Sequence, residues 1–135
     1  MSPTDRPPLA PADKLKREVQ AVLREDDGSL SNPRYAGGPG RFDGYGYVAA
    51  EAYFHLAGGR EAGLRPMQLL HRGASRWWIE DGNGRVVDLA LARGDRPDFP
   101  YERGKSRPFR GTKAGISNAA KAIVNAVLER RNRAG

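Results

Sequence analysis

Residues 44–59 read GYGYVAAEAYFHLAGG, and their reading decides the fold. Val48, Ala49, Ala50, Ala52, Phe54 and Leu56 leave no broad polar face, which predicts a helix over Gly46–Leu56 buried at the centre of the domain. Gly58 and Gly59 supply the left-handed residues that end it. Before it, DDGSLSNPRYAGGPGRFDGY (26–45) is punctuated by glycine and proline and predicts a long ordered loop. A glycine-rich turn entering a buried helix is a mount for a reactive group, because the helix end stabilises an anion there. This mount carries nothing reactive. The chain has no cysteine, and no serine, threonine or histidine stands at the turn.

Upstream, Leu15, Val19, Val22 and Leu23 share one helical stripe and predict a first helix from about Pro11 to Arg24. Proline suits its first turn, and Asp13 lies near the positive end of its dipole. Residues 1–10, with three prolines, are expected to form an irregular arm. Downstream, RPMQLLHR (65–72), SRWWIED (75–81) and RVVDLAL (85–91) read as strands, the last two joined by a tight hairpin at Gly82–Asn83–Gly84. Trp77 and Trp78 must point to opposite faces, so one is expected in the core and the other near solvent or under the long loops. Residues 92–111 show no periodicity and read as a second irregular stretch. Ile116, Ala120, Ile123, Val124, Val127 and Leu128 trace a closing helix, capped by Thr112 or Ser117 and ending in the basic run ERRNR (129–133). The predicted architecture is α+β: a central helix against a three-stranded antiparallel sheet, flanked by N- and C-terminal helices. It forms one domain over residues 11–131, with a tail at 132–135.

The chain has 135 residues and a formal net charge of +7, which favours an acidic partner, nucleic acid or protein. The absence of cysteine excludes disulfides, thiolate metal sites and thiol catalysis. His55 and His71 stand apart and read as structural or surface residues, so no metal and no cofactor are expected. Asp26, Asp27, Asp43 and Glu51 fit no acid–base or metal spacing and read as surface charges. Gly37–Gly40 lacks the preceding strand and the Gly-Lys-Ser/Thr ending of a phosphate loop. No apolar run is long enough for a membrane span, and the N-terminus does not read as a signal peptide. The expectation is a soluble protein of the cytoplasm or of a virion.

The segments GYGYVAAEAYFHLAGGREAGLRPM, SRWWIEDGNGRVVDL and FPYERGKSRPF resemble a family of small phage and bacterial proteins with no assigned reaction. Its members read GHCYVASEALYHLLGGKEAG, then a Thr/Ser-His-Trp-Phe strand, a strand ending in aspartate, PYxxGxGxGF and a closing helix. The resemblance covers about residues 44–125 and implies a papain-like or transglutaminase-like fold. The family's pattern is similar to a papain-like Cys-His-Asp site. By position its cysteine falls on Gly46, its histidine on Arg76 and its aspartate on Asp88; Tyr45 replaces the preceding histidine, and Arg107 a frequent glycine or cysteine.

Glycine offers no nucleophile, and an arginine that stays protonated cannot serve as a general base. The resemblance therefore implies a degenerate, non-catalytic relative that acts by binding a protein partner, as a virion or assembly component or a modulator of a host system. The expected contact face is Tyr45, Arg76, Trp77, Tyr101, Arg103, Lys105, Arg107 and Phe109, with an Arg76–Asp88 salt bridge within it. Two alternatives stand beside it. One is nucleic-acid binding through the basic residues of 102–113 and ERRNR. The other is a hydrolase with altered chemistry built on Asp88, Tyr45 or Tyr47.

Overall fold

A computed structural model describes residues 8–10, 13–26, 45–91, 99–109 and 116–134. Among these, three helices and a four-stranded antiparallel sheet make an α+β fold. The helices are α1 (Lys14–Glu25), α2 (Gly46–Leu56) and α3 (Asn118–Ala134). The strands are β1 (Arg65–His71), β2 (Ala74–Glu80), β3 (Val86–Val87) and β4 (Lys105–Ser106), in the order β3-β2-β1-β4. No helix among the described residues is long and apolar enough to cross a membrane.

The buried helix forms where its composition requires. Gly46, Tyr47, Ala49, Ala50, Glu51, Ala52 and Tyr53 of α2 are all buried, and α2 packs on β1, β2, α1 and α3. Gly58, at φ 102°, ends it in the left-handed region. In α1 the Asp13 side chain accepts from the Lys16 amide at 2.7 Å, so the helix begins after this cap and not at Pro11.

Strand alternation sorts the core into two faces. Trp77, Ile79 and Val87 join Val19, Leu23, Tyr47, Ala50, Tyr53, Phe109 and Ile123 on the helical side. Trp78, Met67 and Val86 pack with Phe99 and Tyr101 on the other. Of the two places expected for the second tryptophan, near solvent or under the long loops, Trp78 takes the latter: Trp77 is 5% and Trp78 1% exposed, and Trp78 packs under Phe99 and Tyr101. The segment around Phe99–Tyr101 covers the face that no helix covers, and Gly104 lies flat against the Trp78 ring.

The three-stranded sheet is corrected to four strands, and the third is shorter than RVVDLAL suggested. Asp88 turns the chain away: its Oδ1 accepts from the Ala90 amide at 3.0 Å, and the Leu91 amide bonds back to the Asp88 carbonyl at 3.2 Å. The fourth strand comes from the stretch expected to be irregular, where Met67 and Gln68 pair with Ser106 and Lys105. The described part of the arm, residues 8–10, touches the sheet. Leu9 makes a parallel bridge to Val86, with Ala10 N–H to Val86 O at 2.7 Å and Val86 N–H to Pro8 O at 2.8 Å.

The hairpin at 82–84 forms as expected. The Asp81 carboxylate accepts from the amides of Asn83 and Arg85, each at 2.9 Å, and from Arg85 Nε at 2.9 Å.

Candidate functional site

The strand carrying Arg76 and the turn carrying Asp88 lie side by side, and the two side chains meet. Arg76 Nε donates to Asp88 Oδ2 at 3.0 Å, with Arg76 8% and Asp88 1% exposed. The Tyr101 hydroxyl donates to the same Oδ2 at 2.7 Å, and the Ala90 amide holds Oδ1. The Phe99 ring covers the guanidinium, its centroid 5.1 Å from Cζ. Burial, followed by the Asp88 charge, pushes the Tyr101 hydroxyl well above the ordinary tyrosine range. The Asp88 carboxylate thus accepts three hydrogen bonds in a polar network beneath aromatic cover.

Gly46 is placed apart from that pair. A Cβ there would meet the Trp77 carbonyl oxygen at 3.8 Å and the Ala90 Cβ at 4.0 Å, and no atom of Arg76 or Asp88 within 4 Å. Gly46 thus sits beside β2 on the helical side, where Trp77 lies edge-on to Tyr47 at 4.9 Å. Arg76 precedes Trp77 and points to the opposite face, under Phe99. The structure brings together two of the three family positions as side chains and adds a phenol, Tyr101. It sets the third on the other face of the strand.

The expected contact face divides in the same way. Arg76, Trp77, Tyr101 and Phe109 are buried and cannot form an exposed contact surface, so that part of the expectation is corrected. Phe109 stacks on Trp77 at 5.5 Å and meets Tyr47 edge-on. Tyr45 is half-buried, its hydroxyl 3.0 Å from Asp26 Oδ2, which ties the start of α2 to the end of α1. Arg103, Lys105 and Arg107 are exposed. They project from the segment that Tyr101 anchors to Asp88 and that the Arg107 amide anchors to the Pro66 carbonyl at 3.1 Å. His55 is exposed, and His71 lies half-buried against Phe99 at 5.2 Å.

Two buried polar residues escaped the sequence. Glu51 is corrected from a surface charge to a fully buried carboxylate that accepts from Ser117 N–H at 2.9 Å and Ser117 Oγ–H at 2.6 Å. Ser117 Oγ in turn accepts from the Ala120 amide at 3.3 Å, so α3 is capped by a serine held by a second helix. A glutamate in the middle of a helix apolar all round was the available signal, since a buried charge must find partners. Gln20 is 4% exposed, and its amide donates to the carbonyls of Leu89 and Leu91 at 2.9 and 2.6 Å. No local pattern announces it. Asp27, Asp43, Gly37–Gly40 and Thr112 lie outside the described residues.

A second surface feature is an open groove of about 1020 Å³ between α1 and α3, lined by Lys14, Arg17, Glu18, Arg130, Arg131 and Arg133 among others. Arg131 forks onto Glu18 through Nε and Nη2 at 2.7 and 2.8 Å, and Arg130 Nη1 donates to Glu25 at 2.7 Å. The hydrogen bond from Arg131 holds the Glu18 carboxyl below its ordinary value.

No protein-family model matches the chain, and no curated protein or solved structure is significantly similar to it.

Proposed function

We propose that this chain is a non-catalytic relative of the papain-like family of small phage and bacterial proteins, acting by binding an acidic protein partner in a host cell or a virion. The observation that carries the reading is the state of the family's three reactive positions. Gly46 offers no attacking atom, and Arg76 is a cation locked to Asp88. The Asp88 carboxylate is occupied by Arg76, Tyr101 and the Ala90 amide.

In this reading the buried network is an anchor. It holds the segment that presents Arg103, Lys105 and Arg107 to solvent, and these three cations supply the contact. The test is capture of a partner from the source lysate by wild type and by Lys105→Glu/Arg107→Glu. The expected result is one stable partner retained by wild type and lost by the variant, with both proteins equally folded. Equal capture by both would remove the assigned face. Turnover of any amide or ester substrate by the purified protein would overturn the non-catalytic part.

A further inference from the structure

The groove between α1 and α3 concentrates charge away from the Arg103–Arg107 segment. Its lining holds five cations, Lys14, Arg17, Arg130, Arg131 and Arg133, and two carboxylates, Glu18 and Glu25, three more cations than carboxylates on a chain whose net charge is +7. The two carboxylates do not cancel the site. Arg131 gives two N–H donors to Glu18 and Arg130 gives one to Glu25, while each guanidinium carries five. The carboxylates therefore orient two long side chains, and the remaining donors of each fork stay outside those bonds. Arg133 lies at the groove's rim with 70% of its side chain exposed, 4.0 Å from Glu129.

The composition of the lining selects the ligand. Four of its five cations are arginine, whose planar fork matches a phosphate bidentately. Among the described residues its apolar lining is Ala21 and Val127, with no aromatic ring. A groove for single-stranded nucleic acid uses aromatic platforms on which bases stack. A protein-binding groove centres on a buried aromatic or arginine anchor in a well-packed pocket. Among the described lining residues there is neither an aromatic platform nor a buried anchor, and both tryptophans are buried elsewhere. What remains suits charged contact with a sugar–phosphate backbone, which fixes position and carries no sequence information.

We infer that the groove between α1 and α3 binds the phosphate backbone of duplex nucleic acid without regard to sequence. The inference does not depend on the proposed protein partner, because the two surfaces share no residue.

The test is fluorescence anisotropy of the full chain with two labelled 20-base-pair DNA duplexes of unrelated sequence, the matching single strand and polyglutamate, from about 25 to 200 mM salt. Both duplexes should bind alike and more tightly than the single strand, with log K falling by about three per tenfold rise in salt. Arg130→Glu/Arg133→Glu should weaken duplex binding at least tenfold and reduce that salt slope by about two. If the double variant does not fold, the exposed Arg133→Gln replaces it, with the slope expected to fall by about one. Lys105→Glu/Arg107→Glu should leave duplex affinity within about twofold. No retention of duplex at the lowest salt would overturn the inference. So would tighter binding of the single strand, polyglutamate bound as tightly as duplex, or equal loss in both double variants.

Discussion

Both carboxylate oxygens of Glu51 are taken by one residue, Ser117, which stands 66 positions later in the chain. The bond set joins the middle of α2 to the start of α3 and uses the Ser117 amide and hydroxyl together. Because Glu51 is fully buried, any loss of its partners leaves a charge without solvent.

An ordering of stabilities follows. Glu51→Gln keeps one acceptor but turns an amide group toward a donor, and should cost about 1–3 kcal/mol. Glu51→Ala adds a cavity and should cost more. Ser117→Ala removes the hydroxyl and leaves the amide bond, and should cost less than Glu51→Ala. Denaturant unfolding of the three variants checks the order.

The Arg76–Asp88 pair behaves differently from a surface salt bridge. Removing either partner leaves an uncompensated buried charge, so Arg76→Ala and Asp88→Asn should each cost about 3–5 kcal/mol. Tyr101→Phe leaves the ion pair in place and should cost about 1–2 kcal/mol. Thermal unfolding measures all three. An Arg76→Ala protein as stable as wild type would contradict the buried network.

Two glycines should respond oppositely to alanine. At Gly46 a Cβ finds only ordinary contacts, and the residue opens a helix without a positive φ. Gly46→Ala should therefore be neutral or stabilise by up to about 1 kcal/mol, through a less flexible unfolded chain. At Gly104 the same Cβ would overlap the Trp78 ring, which is itself 1% exposed. Gly104→Ala should cost about 1–3 kcal/mol, and tryptophan fluorescence should report the displaced ring.

Alkaline pH should unfold the protein from a defined point. Burial, then hydrogen bonding to Asp13, raises Tyr53, and burial with the Asp88 charge raises Tyr101, both from an ordinary value of 10.0. Above that value the unfolded chain releases these protons while the folded chain retains them, so stability falls as pH rises past 10. The contribution is fully present below that pH. Denaturant midpoints measured from about pH 9 to 12 should decline, and Tyr101→Phe should flatten the decline. Tyrosinate absorbance in the native state should show the same two groups lagging.

The parts of the fold written in local periodicity were legible. The apolar run of α2 gave its bounds, Gly46–Leu56, and alternation with turn residues located β1, β2 and the hairpin at 82–84. What failed depended on distant partners. Val86 and Val87 continue into an apolar sequence, but the Asp88 side chain caps Ala90 and breaks the strand. Lys105 and Ser106 have no strand pattern and become β4 only because Met67 and Gln68 offer an edge. Local periodicity left open whether the second tryptophan meets solvent or a loop, because the cover from Phe99 and Tyr101 arrives from an aperiodic stretch. At the candidate site, adjacency of Arg76 and Asp88 was legible from two neighbouring strands. The intrusion of Tyr101 and the turning of Arg76 away from Gly46 depend on strand parity and on that late segment.

The short pairing of Pro8–Ala10 with Val86 has a practical bearing on handling the protein. It occupies the hydrogen-bonding flank of β3, while Lys105 puts a charge on the outermost strand at the opposite flank. Trimming the chain past Ala10 would strip the first flank of its cover and offer Val86 a free peptide group. Such a shortened protein is expected to self-associate through strand addition, so an affinity handle belongs at the C-terminal end.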